Sequence, residues 1–116
     1  MGNADVARAF SGHRFEEAFD HLAADVVWVV VGGDDVHGRE AAIATCRDSA
    51  AYLSTVTTTW HRVVCADAGE VVAVDVLASY AGPDGATTVS SCDIYEFTDE
   101  ALTRITSYTG EVEPPA

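Results

Sequence analysis

The stretch that decides the fold covers residues 71–97, with the sequence VVAVDVLASYAGPDGATTVSSCDIYEF. Apolar and polar side chains alternate on both sides of the turn Gly82-Pro83-Asp84-Gly85, and this period of two predicts strands. Together with the segments before and after it, the stretch predicts a meander of four strands, over residues 55–65, 71–80, 87–97 and 102–109. The short connections make each strand the antiparallel neighbour of the next.

The segments before the meander are predicted to be mostly helical. The predicted elements are a short helix over residues 4–10, a helix over 14–22, a strand over 26–31 and a helix over 39–53. Helices early and strands late favour an α+β fold, in which helices pack on a curved antiparallel sheet and enclose an apolar pocket. Residues 1–116 are expected to form one domain, with residues 111–116 as a frayed tail.

Composition narrows the class of protein. Of the 116 residues, 48% are hydrophobic, which is enough to build one core. The net charge of -13 repels phosphate backbones and anionic membranes, so neither nucleic acid nor a membrane is expected as a partner. Three cysteines without a CxxC pair predict reduced thiols in a cytoplasmic protein. The N-terminal residues do not have the pattern of a signal peptide, and the longest apolar run is too short for a membrane span.

Asp93 is the first candidate for chemistry. On its predicted strand it shares one face with Tyr95 and Phe97. An apolar face favours the neutral form of a carboxyl group, which suits it to donate or shuttle a proton near neutral pH. The plainer alternative is that Asp93 caps a loop or pairs with a buried polar neighbour, and spacing alone leaves that alternative open.

His61 is the second candidate, because a neutral imidazole next to Trp60 in a strand can act as a base or orient a carboxylate if it faces inward. A structural histidine with its hydrogen bonds satisfied is the alternative. His13 and His21 are expected at the surface, beside the second helix. Several aromatic side chains can line a pocket for a planar ligand or simply fill the core; these are Trp28, Tyr52, Trp60, Tyr80 and Tyr95.

Three stretches stand in an informative order: LAADVVW at residues 22–28, VHGREAAI at residues 36–43, and CDIYEF at residues 92–97, which leads to ITSY at residues 105–108. In this order and spacing they resemble the SnoaL-like branch of the nuclear transport factor two-like superfamily, which includes steroid isomerases and polyketide cyclases. The resemblance covers about residues 14–113. It implies a cone-shaped fold, with helices closing a curved sheet around a hydrophobic cavity, and it implies a homodimer.

The resemblance also implies roles for single residues. Asp93 matches the strand position at which steroid isomerases keep a protonated aspartic acid as oxyanion donor, and cyclases of the family are similar in using a strand aspartate as acid or base. Val30 matches the position of the isomerase general base, and a valine side chain cannot take a proton. The first helix offers no tyrosine as oxyanion partner. A steroid isomerase mechanism is therefore incomplete in this sequence.

These observations favour a protein that binds a hydrophobic small molecule in its pocket. The hypothesis is that it is an isomerase or cyclase, which acts on a hydrophobic carbonyl compound by acid/base chemistry. In this hypothesis Asp93 donates a hydrogen bond or a proton to a developing enolate, and His61 assists. The residues expected to shape the cavity are Trp28, Tyr52, Trp60 and Tyr95, with Ser107 as a further polar contact. No metal or organic cofactor is implied.

Two other functions stay open. An epoxide hydrolase needs a second inward polar partner near Asp93, for which Asp75 and Arg62 are the options. A non-catalytic ligand-binding or dimerisation module predicts polar groups that are all mutually satisfied. In a dimer, the open sheet face with Trp60 or Tyr108 is covered by a second copy of the chain.

Overall fold

A computed structural model describes residues 1–115 and shows helices packed against one side of a curved sheet. The elements in chain order are α1 (Asn3–Ser11), a 3₁₀ helix (Phe15–His21), β1 (Leu22–Val30), β2 (Val36–His37), α2 (Arg39–Leu53), β3 (Thr57–Asp67), β4 (Val71–Gly82), β5 (Gly85–Thr98) and β6 (Ala101–Val112). The predicted α+β fold is confirmed.

Within residues 1–115 the sheet has six strands, in the order β2-β1-β6-β5-β4-β3. Strands β3 to β6 form the predicted antiparallel meander. At the far edge of the meander β1 lies parallel to β6, with Trp28 opposite Ile105 and Val30 opposite Ser107. The two-residue strand β2, which the sequence analysis does not predict, pairs with β1. The sheet is therefore antiparallel except between β1 and β6.

Alternation along the strands gives the sheet two different faces. Val72 and Val74 of β4 are fully buried on the side that the helices cover, which we call the inner face. Across β4 and β5, Tyr95 pairs with Val72 and Asp93 pairs with Val74, so both lie on the inner face. Asp75 points to the opposite side, the outer face, and is exposed. Two neighbouring residues of one strand therefore have opposite surroundings, one in the core and the other in solvent.

The core lies between the inner face and the helices. Its largest fully buried side chains are Val6, Leu22, Val26, Cys46, Val72, Val74, Tyr95, Leu102 and Ile105. Burial of each large aliphatic side chain stabilises the fold by about 1.5–3 kcal/mol. Phe10 of α1 packs edge to face against the rings of Phe15, Trp28 and Tyr95, at centroid distances of 5.4, 5.1 and 5.9 Å. These aromatic contacts hold α1 on the sheet.

The helices agree with the predicted ones except in one case. The prediction for residues 39–53 is confirmed by α2, which begins directly after Gly38. The backbone of Gly38 has a φ of 89°, a conformation that glycine adopts more easily than other residues. The helix predicted over residues 14–22 is instead the 3₁₀ helix, a conformation common in short pieces. No helix in the described part of the chain is long and apolar enough to cross a bilayer.

The end of the chain is more ordered than expected. Glu111 and Val112, predicted to belong to a frayed tail, pair with Val89 and Thr88 as the last residues of β6. Residues 113–115 have no regular secondary structure, and the predicted tail also includes residue 116, which lies outside the described residues. The tail is shorter because Thr88 and Val89 of β5 offer backbone partners to Val112 and Glu111.

Candidate functional site

A cavity of about 550 Å³ opens between the inner face of the sheet and the helices. Much of its wall is apolar, formed by Phe10, Phe15, Trp28, Val30, Leu53, Val76 and Val89. Polar side chains on the wall include two hydrogen-bonded clusters, one around Asp93 and one that joins His13 to Tyr80. A cavity of this size and lining suits a hydrophobic small molecule with a few polar atoms.

Asp93 of β5 accepts three hydrogen bonds inside the protein. Its Oδ1 accepts from Ser107 Oγ at 2.6 Å. Its Oδ2 accepts from Ser11 Oγ at 2.8 Å and from Tyr95 Oη at 3.4 Å. Ser107 in turn accepts from Trp28 Nε1 at 2.9 Å, and the hydroxyl oxygens of Ser11 and Tyr95 lie 2.6 Å apart. The carboxyl group is therefore held by α1, β1 and β6 together.

The donors of this network point toward Asp93. An indole N–H can only donate, so Ser107 receives that bond and its own hydroxyl hydrogen is available to Asp93 Oδ1. Burial raises the pKa of Tyr95 well above its usual range, and the nearby Asp93 charge raises it further. The Tyr95 phenol therefore stays protonated and acts as a donor. The Asp93 carboxyl group is therefore the acceptor of this network.

A second polar pair lies on the same cavity wall. His13, between α1 and the 3₁₀ helix, has its Nε2 atom 2.9 Å from Tyr80 Oη on β4. Its ring packs against Trp60 and Phe15, at centroid distances of 4.9 and 5.7 Å. Burial lowers the pKa of His13, and the Asp93 charge opposes this in part. Burial also raises the pKa of Tyr80. Both members of the pair are therefore neutral near neutral pH.

The expectation that His13 is a surface residue is wrong. Its ring is enclosed by aromatic side chains of other elements, and Tyr80 lies 67 residues further along the chain. Ser11 is likewise missed, because the sequence analysis does not single it out, although it contacts Asp93 across 82 residues. No local pattern marks either residue, because both contacts depend on how α1 lies on the sheet.

The predicted pocket residues occupy different places. Trp28, Ser107 and Tyr52 line the cavity, and Tyr52 is 58% exposed at its rim. Tyr95 is fully buried and meets the Asp93 cluster through its hydroxyl group. Trp60 is not among the cavity-lining residues and instead covers the ring of His13.

The structure does not bring His61 to Asp93. A β-bulge between Trp60 and Arg62 leaves His61 without a pairing partner on β4. The exposed imidazole has its Nε2 atom 2.7 Å from Ser79 Oγ, on the outer face. The inward orientation on which a catalytic role of His61 depended is therefore not present.

The partners that an epoxide hydrolase would need are also on the outer face. Arg62 lies opposite Leu77, and Asp75 lies opposite Cys92. Neither side chain approaches Asp93 from within the cavity. Across residues 1–115, no group of three or more histidine, cysteine, aspartate or glutamate side chains is arranged to hold a metal ion.

A family model described as a SnoaL-like domain matches residues 4–105. The chain belongs to this family, and the resemblance seen in the sequence is confirmed. A comparison with curated proteins finds no significant match.

Solved structures share the fold. An NTF2-like protein of unknown function from Cytophaga hutchinsonii ATCC 33406 has a TM-score of 0.78 at 24% identity, over 90% of this chain and 93% of that one. A protein with a ketosteroid isomerase-like fold from Catenulispora acidiphila DSM 44928, in complex with trimethylamine, has a TM-score of 0.66 at 18% identity, over 93% and 86%. An LEH-like epoxide hydrolase from M. tuberculosis has a TM-score of 0.65 at 21% identity, over 92% and 81%. At these identities the likeness shows the fold alone.

Proposed function

We propose that the protein binds a hydrophobic carbonyl compound in the cavity and moves a proton on it, as an isomerase or cyclase without a cofactor. The observation that carries the proposal is the Asp93 carboxyl group, which hydroxyl donors hold on the wall of a largely apolar cavity. A carboxyl group held in a fixed position within hydrogen-bond reach of a bound ligand can act as a general base on it. The ketosteroid isomerase-like fold of a relative supports this class of reaction.

In the proposed reaction Asp93 takes a proton from a carbon atom next to the ligand carbonyl. The electron pair of the broken C–H bond moves toward the carbonyl oxygen and forms an enolate, and Asp93 then returns the proton to another carbon of the conjugated system. Ser11 and Ser107 keep the two carboxyl oxygens in place. This role differs from the donor role expected from the sequence, because hydroxyl groups donate to both Asp93 oxygens and these oxygens therefore act as acceptors.

Deuterium exchange tests this proposal. Beta-tetralone, a bicyclic ketone with acidic C–H bonds beside its carbonyl group, is incubated with the protein in deuterium oxide and followed by proton NMR. We expect the wild type to accelerate exchange over buffer, and Asp93→Asn to lose about 10²–10⁴-fold of that acceleration, because an amide does not accept the proton. Asp75→Asn, on the outer face of the neighbouring strand, is the matched control and should behave as the wild type.

A second candidate function is ligand binding without a reaction. It is favoured by the hydrogen bonds that both Asp93 oxygens already accept within the protein, as a structural carboxylate would. Saturable binding of beta-tetralone, measured by tryptophan fluorescence, without exchange above the buffer rate would support this candidate against the enzyme. If beta-tetralone does not bind at all, both candidates lose their common basis.

We also propose a homodimer that forms through the outer face. Large apolar side chains stay exposed on this face, among them Val64 at 42%, Val71 at 44% and Tyr108 at 51%. Such a face gains stability when an identical face of a second copy covers it. On the inner face, by contrast, the helices bury Val72, Val74 and Val76.

The proposed location is the cytoplasm. Cys46, Cys65 and Cys92 are free thiols, as a reducing compartment would keep them. Burial raises the pKa of the Cys46 thiol to about 12, so this residue stays protonated and unreactive.

A further inference from the structure

Two features of His13 lower the stability of the folded protein. Its φ of 65° lies in the left-handed region, which is uncommon for residues other than glycine, although asparagine, aspartate and histidine are enriched there. Among residues 1–115, its Nδ1 is the one buried side-chain nitrogen or oxygen without a hydrogen-bond partner. An unpaired buried polar atom lowers stability, and native proteins keep few of them. Strained and unsatisfied groups of this kind cluster at functional sites.

Packing does not explain why a histidine stands here. The ring is surrounded by Trp60, Phe15 and Tyr80, at centroid distances of 4.9, 5.7 and 5.9 Å. A phenylalanine ring would suit the same surroundings and would leave no nitrogen unpaired. The property that only histidine supplies is the hydrogen bond between Nε2 and the Tyr80 hydroxyl group, at 2.9 Å.

The tautomer of His13 follows from its surroundings. A buried N–H without an acceptor is rarer in proteins than a buried lone pair without a donor. The proton is therefore placed on Nε2, and the unpaired Nδ1 carries the lone pair. Nε2–H then donates to the Tyr80 oxygen, and the hydroxyl hydrogen of Tyr80 remains free. Tyr80 lines the cavity, so this hydrogen is available to a ligand there.

We infer that the Tyr80 hydroxyl group, held in place by His13, donates a hydrogen bond to the carbonyl oxygen of the ligand. The inference rests on the proposed function and deepens it. Asp93 would receive the proton that leaves carbon, and Tyr80 would stabilise the negative charge that develops on the oxygen. The substrate class is then a hydrophobic compound whose carbonyl oxygen contacts Tyr80 while its acidic C–H bond faces Asp93. In this scheme His13 is a positioning residue.

The charges on the cavity wall are consistent with this arrangement. The Asp93 carboxylate acts on both His13 and Tyr80, which places the two clusters within electrostatic reach of each other. Because the phenol of Tyr80 stays protonated, it can serve as a donor when negative charge develops on the ligand. Residues of both clusters line the same cavity, so a single ligand there can meet both.

A pair of probes that differ in one oxygen atom tests the inference. An acetyl-substituted naphthol and the ethyl-substituted naphthol of the same ring positions have nearly the same shape, and only the first has a carbonyl oxygen. Isothermal titration calorimetry gives the Kd of each, and the ratio of the two values measures what the carbonyl oxygen contributes. We expect the wild type to bind the acetyl probe about tenfold more tightly, as for one good hydrogen bond.

The variants separate the inference from the proposed function. In Tyr80→Phe the ratio should fall to about one, while Tyr108→Phe on the outer face should keep the wild-type ratio. Equal binding of both probes by the wild type overturns the inference but leaves the Asp93 proposal standing. If the wild type binds neither probe, the inference and the proposed pocket function fail together. Both Kd values of a ratio are measured on the same variant. If part of that variant is unfolded, both values change by the same factor, and the ratio stays the same.

The positioning role of His13 has its own readout. His13→Gln keeps an N–H donor near the place of Nε2 and should retain part of the carbonyl preference, whereas His13→Phe should lose it and still bind the ethyl probe. Nitrogen-15 NMR of the wild type should show the Nε2–H tautomer for His13. A proton on Nδ1, or a carbonyl preference that survives in His13→Phe, overturns the assignment.

Discussion

Asp93 and Asp75 carry the same carboxyl group on neighbouring strands, yet the sheet gives them opposite surroundings. Asp93 lies on the inner face and accepts hydrogen bonds from Ser11 and Ser107 at 2.8 and 2.6 Å. Asp75 lies opposite Cys92 on the outer face, is exposed, and has no side-chain hydrogen bond to another described residue. The difference arises because successive side chains of a strand point to opposite faces.

The histidines repeat this contrast. His61, whose predicted role required an inward ring, is turned to the outer face at a β-bulge. His13, in a connection with no periodic pattern, is enclosed at the cavity wall. Whether a polar side chain of this fold can contact a ligand in the cavity therefore depends on the face that it occupies, and a bulge or a turn can change that face.

The largest expected effect concerns the uncovered apolar side chains of the outer face. The wild type should have twice the mass of one chain in sedimentation or light scattering, and Val64→Lys combined with Tyr108→Lys should halve it, because two lysines of like charge would meet across the interface. Val63→Lys changes the neighbouring residue, which points to the other side of β3, and should leave the dimer intact. A monomeric wild type would contradict the proposed dimer.

A smaller effect is expected at the hydroxyl group that links Trp28 to Asp93. Ser107→Ala leaves the Trp28 N–H and Asp93 Oδ1 each without this partner, so the free energy of unfolding should fall by about 1–2 kcal/mol. Ser90→Ala, at an outer-face position of β5, should change it by less than about 0.5 kcal/mol. Urea denaturation measures both, and equal effects would mean that the inner network adds nothing to stability.

The smallest expected effect is the pH dependence that His13 confers. Burial lowers its pKa, so the unfolded chain takes up a proton at a higher pH than the folded protein does. This contribution to stability is complete above the unfolded value of about 6.5 and declines as the pH falls below it. The stability of the wild type relative to His13→Gln should therefore decrease between about pH 7.5 and about pH 5. A difference that stays constant over this range would contradict the burial of the neutral imidazole.

Most of the fold could be predicted from local patterns. The helix predicted over residues 39–53 is α2 at the same residues, and the four strands of the meander lie within a few residues of their predicted bounds. These elements depend on hydrophobic periodicity and turn chemistry, which are properties of neighbouring residues. The parallel pairing of β1 with β6 could not be predicted in this way, because it joins segments about 80 residues apart, such as Trp28 and Ile105.

The candidate site could be predicted only in part. Alternation along β5 was sufficient to place Asp93 on one face with Tyr95, and the pairing with β4 confirms that this face is the inner one. Apart from Tyr95 of the same strand, the donors to Asp93 are Ser11 of α1 and Ser107 of β6, and spacing within β5 carries no information about these two. His13 was misjudged for the same reason, since its partner Tyr80 belongs to a distant strand.

The sequence by itself determined an α+β domain of acidic charge, with helices preceding a meander and a carboxyl group on one face of its third strand. These properties follow from composition and from periods of two and 3.6 residues along the chain. Only the tertiary structure decided which face is covered, which hydroxyl groups meet Asp93, and that His13 and Tyr80 form a pair on the cavity wall. The contacts of Ser11 with Asp93 and of His13 with Tyr80 join residues 82 and 67 positions apart, and only the packing of α1 against the curved sheet brings them within hydrogen-bond distance.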